Sequence, residues 1–287
     1  MSIRDAQQQV RHLHALPALE VRMLLEHVLQ KPHAWLVAHD DEVLTQLQAE
    51  TFQTLCAQRA GGEPLAYLIG WREFYGRRFQ VTPAVLIPRP ETELLVSLAL
   101  EKLTALQHPA NVIDLGTGSG VIALTFAIEA TLAQANVAVT ATDISPAALD
   151  IAAANAARLE AKVNFIQSDW WQAVPQRPFD LILSNPPYIR AEDSHLVQGD
   201  LRFEPSHALT DQADGLSAYR AICAGLSTYL APGGWVLFEH GYDQAPAVQD
   251  LLRAQGLEAV QTWPDLAGIP RVTGGKAGEQ AGGRAAP

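Results

Sequence analysis

The sequence predicts an α/β protein: a mostly parallel sheet with helices on both faces, preceded by a small helical domain and a β-hairpin linker. Three observations carry that expectation. Apolar residues in the first 60 positions recur at helical spacing. From about residue 90 short apolar, β-branched runs alternate with helical stretches, the pattern of a parallel sheet. Asn111–Leu115 then runs straight into Gly116-Thr117-Gly118-Ser119-Gly120, a strand, a glycine turn and the start of a helix.

Taken in order, Val21, Leu24, Leu25 and Val28 fall at i, i+3, i+4, i+7, and Leu44, Leu47, Thr51 and Leu55 form a similar stripe. Gly61-Gly62 breaks the pattern, and Pro64 can open a short helix through Leu68. Residues 1–70 are therefore read as a helical domain. From Trp71 to Ile87 the chain turns aromatic and β-branched around Gly76, so residues 71–89 read as a hairpin linker. The strands expected in the second domain, residues 90–273, are Asn111–Leu115, Ala138–Asp143, Val163–Gln167, Phe179–Ser184 and Trp235–His240. Helices are expected at Ser119–Ala130, Pro146–Leu159 and Gly215–Leu230. Residues 274–287, rich in Gly and Ala, read as a flexible tail.

Composition narrows the class. Hydrophobic residues are 48% and charged ones 18% of 287, enough for a buried core and unlike a disordered chain. The longest largely apolar run, Val121–Ile128, falls well short of the ~20 residues that cross a bilayer, so no membrane association is expected. The first residues carry no apolar signal core, and the expectation is a soluble cytoplasmic protein. Two cysteines, Cys56 and Cys223, cannot build a disulfide framework or an all-cysteine zinc site, and the nine histidines show no metal spacing; no metal is expected. Of the net charge of −11, residues 89–287 hold −10, which disfavours a grip on duplex nucleic acid and suits a basic protein partner.

The glycine turn has two nucleotide-binding readings. The dinucleotide fingerprint G-x-G-x-x-G fails because position 121 is Val. The pattern D-L-G-x-G-x-G is instead that of S-adenosylmethionine-dependent methyltransferases. The turn also lacks the Lys-Ser/Thr of a phosphate-binding loop and has Thr117 where a nucleophile elbow would need Gly. Asp143 ends the next strand 27 residues after Gly116, where a carboxylate can accept hydrogen bonds from two ribose hydroxyls. Alternatively it caps the helix beginning near Pro146. Asp114 orients the loop or the ammonium group of the ligand. Trp170 and Trp171 end the third strand, where an adenine would lie, and core packing explains them equally well.

Ser184-Asn185-Pro186-Pro187-Tyr188 follows a strand that ends at the same sheet edge. Two prolines fix φ and remove two N–H donors, so the exposed backbone groups are carbonyl oxygens. With the Asn185 carbonyl they form a rigid cup of acceptors for an NH2 group, and Tyr188 offers a flat face to a planar group. A carboxamide or exocyclic base nitrogen is a poor nucleophile. Acceptors on both its hydrogens push electron density back to nitrogen and aim its lone pair at the donor methyl. The proton becomes acidic only as the N–C bond forms, so no dedicated base is expected.

These residues resemble the PrmC/HemK protein-(glutamine) methyltransferases over most of the chain. The resemblance includes Gly62-Glu63-Pro64-Leu65-Ala66-Tyr67, Arg72-Glu73-Phe74, Leu86-Ile87-Pro88-Arg89-Pro90-Glu91-Thr92-Glu93, the glycine turn, Ser168-Asp169-Trp170, Asn185–Tyr188 and Asp200-Leu201-Arg202-Phe203-Glu204-Pro205. It implies a Rossmann-like class I methyltransferase domain behind a partner-docking helical domain. It also implies methyl transfer from S-adenosylmethionine, leaving S-adenosylhomocysteine, to the glutamine amide nitrogen of the Gly-Gly-Gln motif in class-1 peptide-chain release factors. Carried over by position, Gly116, Thr117, Gly118, Ser119 and Gly120 hold the methionine part of the donor, Asp143 its ribose and Trp170 its adenine. Asn185 is the catalytic residue and, with Pro186, Pro187 and Tyr188, binds the substrate amide. A monomer is expected. The competing readings are methylation of a ribosomal-protein glutamine, methylation of an adenine amine in nucleic acid, and a binding module with a degenerate site.

Overall fold

The structure, a computed structural model, describes residues 1–106 and 108–279. The described residues form two units, one of residues 1–71 with 197–203 and one of residues 72–196 with 204–279.

The first unit is helical: α1 (Ile3–His14), α2 (Ala18–Leu29), α3 (His33–Ala38), α4 (Gln46–Ala60) and α5 (Leu65–Ile69). Two capping boxes start helices, Ser2 with Asp5 on α1 and Thr45 with Gln48 on α4, each satisfying two otherwise orphaned backbone N–H groups. The expected stripe of α2 is buried at Val21, Leu24 and Leu25. On α4 the expected stripe holds only in part: Leu44 and Leu55 pack into the core, Leu47 and Thr51 do not. Leu44 precedes the cap and Leu47 is 73% exposed, while Phe52 and Cys56 fill the core. The core-facing row of α4 runs through Ala49, Phe52 and Cys56, spaced i, i+3, i+7.

Residues 197–203 belong to this unit, and two arginines hold them there. Arg59 binds Glu20 through two nitrogens at 2.8 and 3.1 Å and reaches Asp200 at 3.1 Å. Arg202 donates to the Gly61 carbonyl at 2.7 Å.

The hairpin is β1 (Trp71–Phe74) and β2 (Arg77–Gln80), turned by Tyr75-Gly76 with both φ angles positive, the geometry a two-residue hairpin turn needs. The second unit continues with α6 (Glu93–Thr104), β3 (Ala110–Leu115), α7 (Val121–Leu132), β4 (Val137–Asp143), α8 (Pro146–Leu159), β5 (Asn164–Gln167), β6 (Phe179–Ser184), α9 (Ser206–Leu209), α10 (Ser217–Tyr229), β7 (Leu230–Glu239), α11 (Ala245–Ala254), β8 (Glu258–Pro264) and β9 (Pro270–Lys276). Seven strands form one sheet in the order β5-β4-β3-β6-β7-β9-β8. The first five are parallel, as expected. β9 and β8 add an antiparallel edge that sequence reading did not anticipate. Gly274 and Gly275, read above as tail, are buried strand residues paired with Leu237 and Val236. A side chain at Gly274 would meet Leu237 and the Val236 carbonyl, so close packing of backbone put glycine there. The remainder of the expected tail, residues 280–287, lies outside the described residues.

Alternation along the central strands shows that both sheet faces are covered. Val112, Leu181, Leu183 and Leu237 join the cluster of α6, α7 and the hairpin residues Phe74 and Phe79. Ile113, Ile182, Val236 and Phe238 point the other way, into the cluster of α10 and α11. Helix α7 is apolar on nearly all sides and buried from Val121 to Ala127. Among the described residues no helix is long and apolar enough to cross a membrane.

Asn155, fully buried on α8, joins three elements. Its Oδ1 accepts from the Gln80 N–H at 2.7 Å, and its Nδ2 donates to the Gln80 and Ser119 carbonyls, both at 3.0 Å. Asn155→Ala strands those backbone groups inside the protein and is expected to cost roughly 2–3 kcal/mol, read from the urea midpoint at unchanged slope.

Candidate active site

The strand order fixes where the site forms. β3 leads through α7 to β4 on one side, and β6 leads through α10 to β7 on the other, so the loops after β3 and β6 diverge at a topological switch point. The two strand ends are joined directly: the Ser184 hydroxyl donates to the Leu115 carbonyl at 2.6 Å, fully buried. A cleft of about 800 Å³ opens there, lined among others by Gly116, Thr117, Gly118, Ser119, Asp143, Trp170, Asn185 and Pro187. Pro186 and Tyr188, also expected at the site, do not line it. Tyr188 packs against the α10–α11 cluster, and burial pushes its phenol well above the usual range.

The glycine turn is built from within. The Gly116 and Thr117 N–H groups donate to the Thr142 carbonyl at 2.9 and 2.8 Å, and Gly120 N–H to the Thr117 carbonyl at 2.8 Å. Gly116 and Gly118 have φ of +77° and +55°, and around the missing Gly118 Cβ there is open space, so the backbone itself faces the cleft. Gly120 has a second reason: a Cβ there would meet Leu124 at 2.8 Å and Ala152 at 3.2 Å. It allows helix packing and is not a ligand contact.

Asp143 is 9% exposed at the cleft wall. Its carboxylate accepts from the Gly118 and Ser145 N–H groups at 2.8 and 2.9 Å. The cap of α8 is Ser145, whose hydroxyl accepts from Ala148, so Asp143 does not cap the helix. Each carboxylate oxygen can still accept a second bond. Trp170, at φ +46°, both lines the cleft beside Gly116 and packs against the core, so the two readings of it are compatible. Trp171 is structural: its indole donates to the Ile222 carbonyl at 3.0 Å and stacks on Tyr229 at 4.3 Å.

Asn185 follows Ser184, whose register partner on β7 is Phe238, so Asn185 and Glu239 emerge side by side at the sheet edge. Asn185 Nδ2 donates to the Thr92 hydroxyl at 3.2 Å. Thr92 is 2% and Glu239 1% exposed. Sequence reading missed both. The signal for Glu239 was a lone carboxylate closing the apolar strand Trp235–Phe238. Two further supports went unread. Gln244 donates to the Tyr188 and Gly215 carbonyls at 3.0 and 3.2 Å, fastening the proline turn. Glu204 accepts from Ile87 N–H at 3.0 Å and pairs with Arg89, so two of the resemblance segments hold each other.

Two fully buried carboxylates flank the site. Asp114 accepts from the Thr117 hydroxyl at 2.6 Å, while its Oδ1 has no hydrogen-bond partner. Burial pushes its carboxyl up to about 7. Burial does the same to Glu239, also to about 7. Among the described residues no cluster of metal-ligating side chains occurs.

Open backbone at Gly116 and Gly118, a carboxylate with spare acceptor capacity and a largely apolar cleft of this size fit a nucleoside with an amino-acid arm. Fold and site together define a Rossmann-like methyltransferase. Comparison with known proteins agrees and goes further. Residues 91–208 match the methyltransferase small domain, and residues 3–70 the PrmC N-terminal domain. A release factor glutamine methyltransferase of Bordetella pertussis is 52% identical over 261 residues, 91% of this chain and 95% of that protein. One of Burkholderia pseudomallei is 48% identical over 268 residues, 91% and 92% of the two chains. A methyltransferase structure from Pyrococcus furiosus shares the fold at a TM-score of 0.51 and 18% identity, covering 77% of this chain and 97% of its own. The chain belongs to the release factor glutamine methyltransferase family.

Asp114 couples stability to pH. In the folded protein it keeps its proton up to about 7, whereas unfolded it releases it near 3.8. Between these values the folded state binds more protons, so stability falls as pH rises. Asp114→Asn removes that loss: its Tm relative to the parent should climb from about pH 4 to about pH 7. A constant difference across that range contradicts the assignment.

Proposed function

We propose that the protein transfers the methyl group of S-adenosylmethionine to the side-chain amide nitrogen (N5) of the glutamine in the Gly-Gly-Gln motif of class-1 peptide-chain release factors, leaving S-adenosylhomocysteine. The observation that carries this reading is the rigid Asn-Pro-Pro turn stitched beside an open glycine cradle through Ser184 and Leu115.

When bound, S-adenosylmethionine supplies an electrophilic methyl group. In this reading Gly116, Thr117, Gly118 and Ser119 receive its amino-acid arm, Asp143 accepts from its ribose hydroxyls and Trp170 borders its adenine. The Asn185 side-chain oxygen accepts an amide hydrogen of the substrate glutamine, with Pro186, Pro187 and Tyr188 holding the turn in shape. The cup fixes the nitrogen lone pair on the line of attack, and the nitrogen sheds a proton as the N–C bond forms. The substrate is a protein: the net −10 of residues 89–287 supports a partner other than duplex nucleic acid. The protein acts as a monomer in the cytoplasm.

Asn185→Ala should lower kcat about 10²–10³-fold with the donor Kd nearly unchanged, the scale for losing one oriented polar group. Near-parental turnover removes the role given to Asn185. Asp143→Ala should weaken donor binding by about 10–100-fold in calorimetry, since charged hydrogen bonds are lost. A release factor with Glu in place of the motif Gln should be a poorer substrate by roughly 10⁴–10⁵, because a carboxylate facing acceptors leaves them unpaired. Mass spectrometry locating the methyl on another residue would overturn the reading.

A further inference from the structure

An asparagine amide has two orientations of nearly identical shape, one offering oxygen to the cleft and the other offering N–H donors. Only the first suits an incoming NH2 group, so something must choose between them. The choice is visible behind Asn185. Its Nδ2 donates to the Thr92 hydroxyl oxygen. Thr92 is then free to pass its own proton on, and the buried Glu239, which leaves β7 beside Asn185, has its charged form favoured by the Thr92 and Asn185 side chains while its Oε2 keeps no partner of its own. An ionised carboxylate accepts and never donates. It therefore gives the chain Asn185, Thr92, Glu239 a single polarity, with hydrogens pointing away from the cleft.

Resting on the role given to Asn185 above, we propose that Glu239, acting through Thr92, is a positioning residue that turns the Asn185 amide so that its oxygen faces the substrate nitrogen. Bonds aligned in one direction also polarise each other, which makes that oxygen a stronger acceptor. Protonated Glu239 can donate to Thr92 instead, which reverses the chain and presents N–H groups to the substrate N–H groups. The carboxyl titrates in a mixed field. Arg271 on β9 favours its charged form, Glu91 opposes it, and the Tyr188 and Tyr219 phenols face it, the latter donating to the Glu239 backbone carbonyl at 2.8 Å. With the carboxyl raised to about 7, turnover should rise with pH through neutrality.

The test uses the full chain, S-adenosylmethionine and a release factor. Glu239→Gln, which can both accept and donate, should lower kcat by roughly 10–100-fold, the usual loss for an outer supporting group. The donor Kd and the KM for release factor should stay within about threefold, and the rise of kcat through neutral pH should flatten. Thr92→Val should behave alike, and Thr92→Ser should restore the parental rate. Parental kcat in Glu239→Gln, or a lowered kcat that keeps the pH rise, overturns the proposal. A substrate-free readout separates this from the functional assignment: the Asn185 side-chain amide resonance should shift with a midpoint near neutral pH in the parent and not in Glu239→Gln. An amide that does not titrate overturns the proposal even where methylation proceeds. A titrating amide with no methylation of release factor upholds it and discards that substrate.

Discussion

The site depends on two parallel strands, β3 and β6, lying side by side while their connections leave in opposite directions. Parallel neighbours end at one edge, and diverging connections keep that edge from being covered. The bond from Ser184 to the Leu115 carbonyl fixes the spacing of the two loops, so the glycine turn and the proline turn face one cleft. Burial of both faces holds this arrangement in register. Val112 and Ile113 on β3, like Ile182 and Leu183 on β6, enter opposite clusters, and a slip by one residue would exchange them all.

On that frame the loops are held by side chains that never enter the reaction. Asn155 ties the glycine turn to α8, Gln244 ties the proline turn to the start of α11, and Glu204 clasps the segment before α6. Two further supports are carboxyl groups kept from water. Asp114 and Glu239 each retain a carboxylate oxygen without a hydrogen-bond partner, an expensive arrangement that an apolar residue would avoid. Both stand at the end of strands that flank the cleft, where orientation of a loop matters more than stability.

The sheet, the hairpin and the two loops were legible because glycine, proline and strand–helix alternation are local signals. The helix α8 and strand β6 have the expected bounds, Pro146–Leu159 and Phe179–Ser184. The buried row of α4 was misread because Leu44 and Leu47 sit at the spacing of a helix face without belonging to it. Strands β8 and β9 escaped notice because Gly274 and Gly275 resemble a linker, and only their neighbours across the sheet give them a reason. At the site, Asn185 and Asp143 stand within recognisable patterns. Thr92 and Asn155 do not: each bonds a residue more than 30 positions away, a distance that one sequence cannot bridge.

The short stretch 197–203 lies in the sequence between the proline turn and α9, yet it is part of the helical unit, pinned by Arg59 and Arg202. The helical module is thus not a continuous stretch of chain. Any chimera exchanging it with a relative's counterpart must transplant two separate pieces, or the grafted arginine meets a foreign counter-ion; inheritance of this module by simple end-to-end fusion would have left the second piece behind.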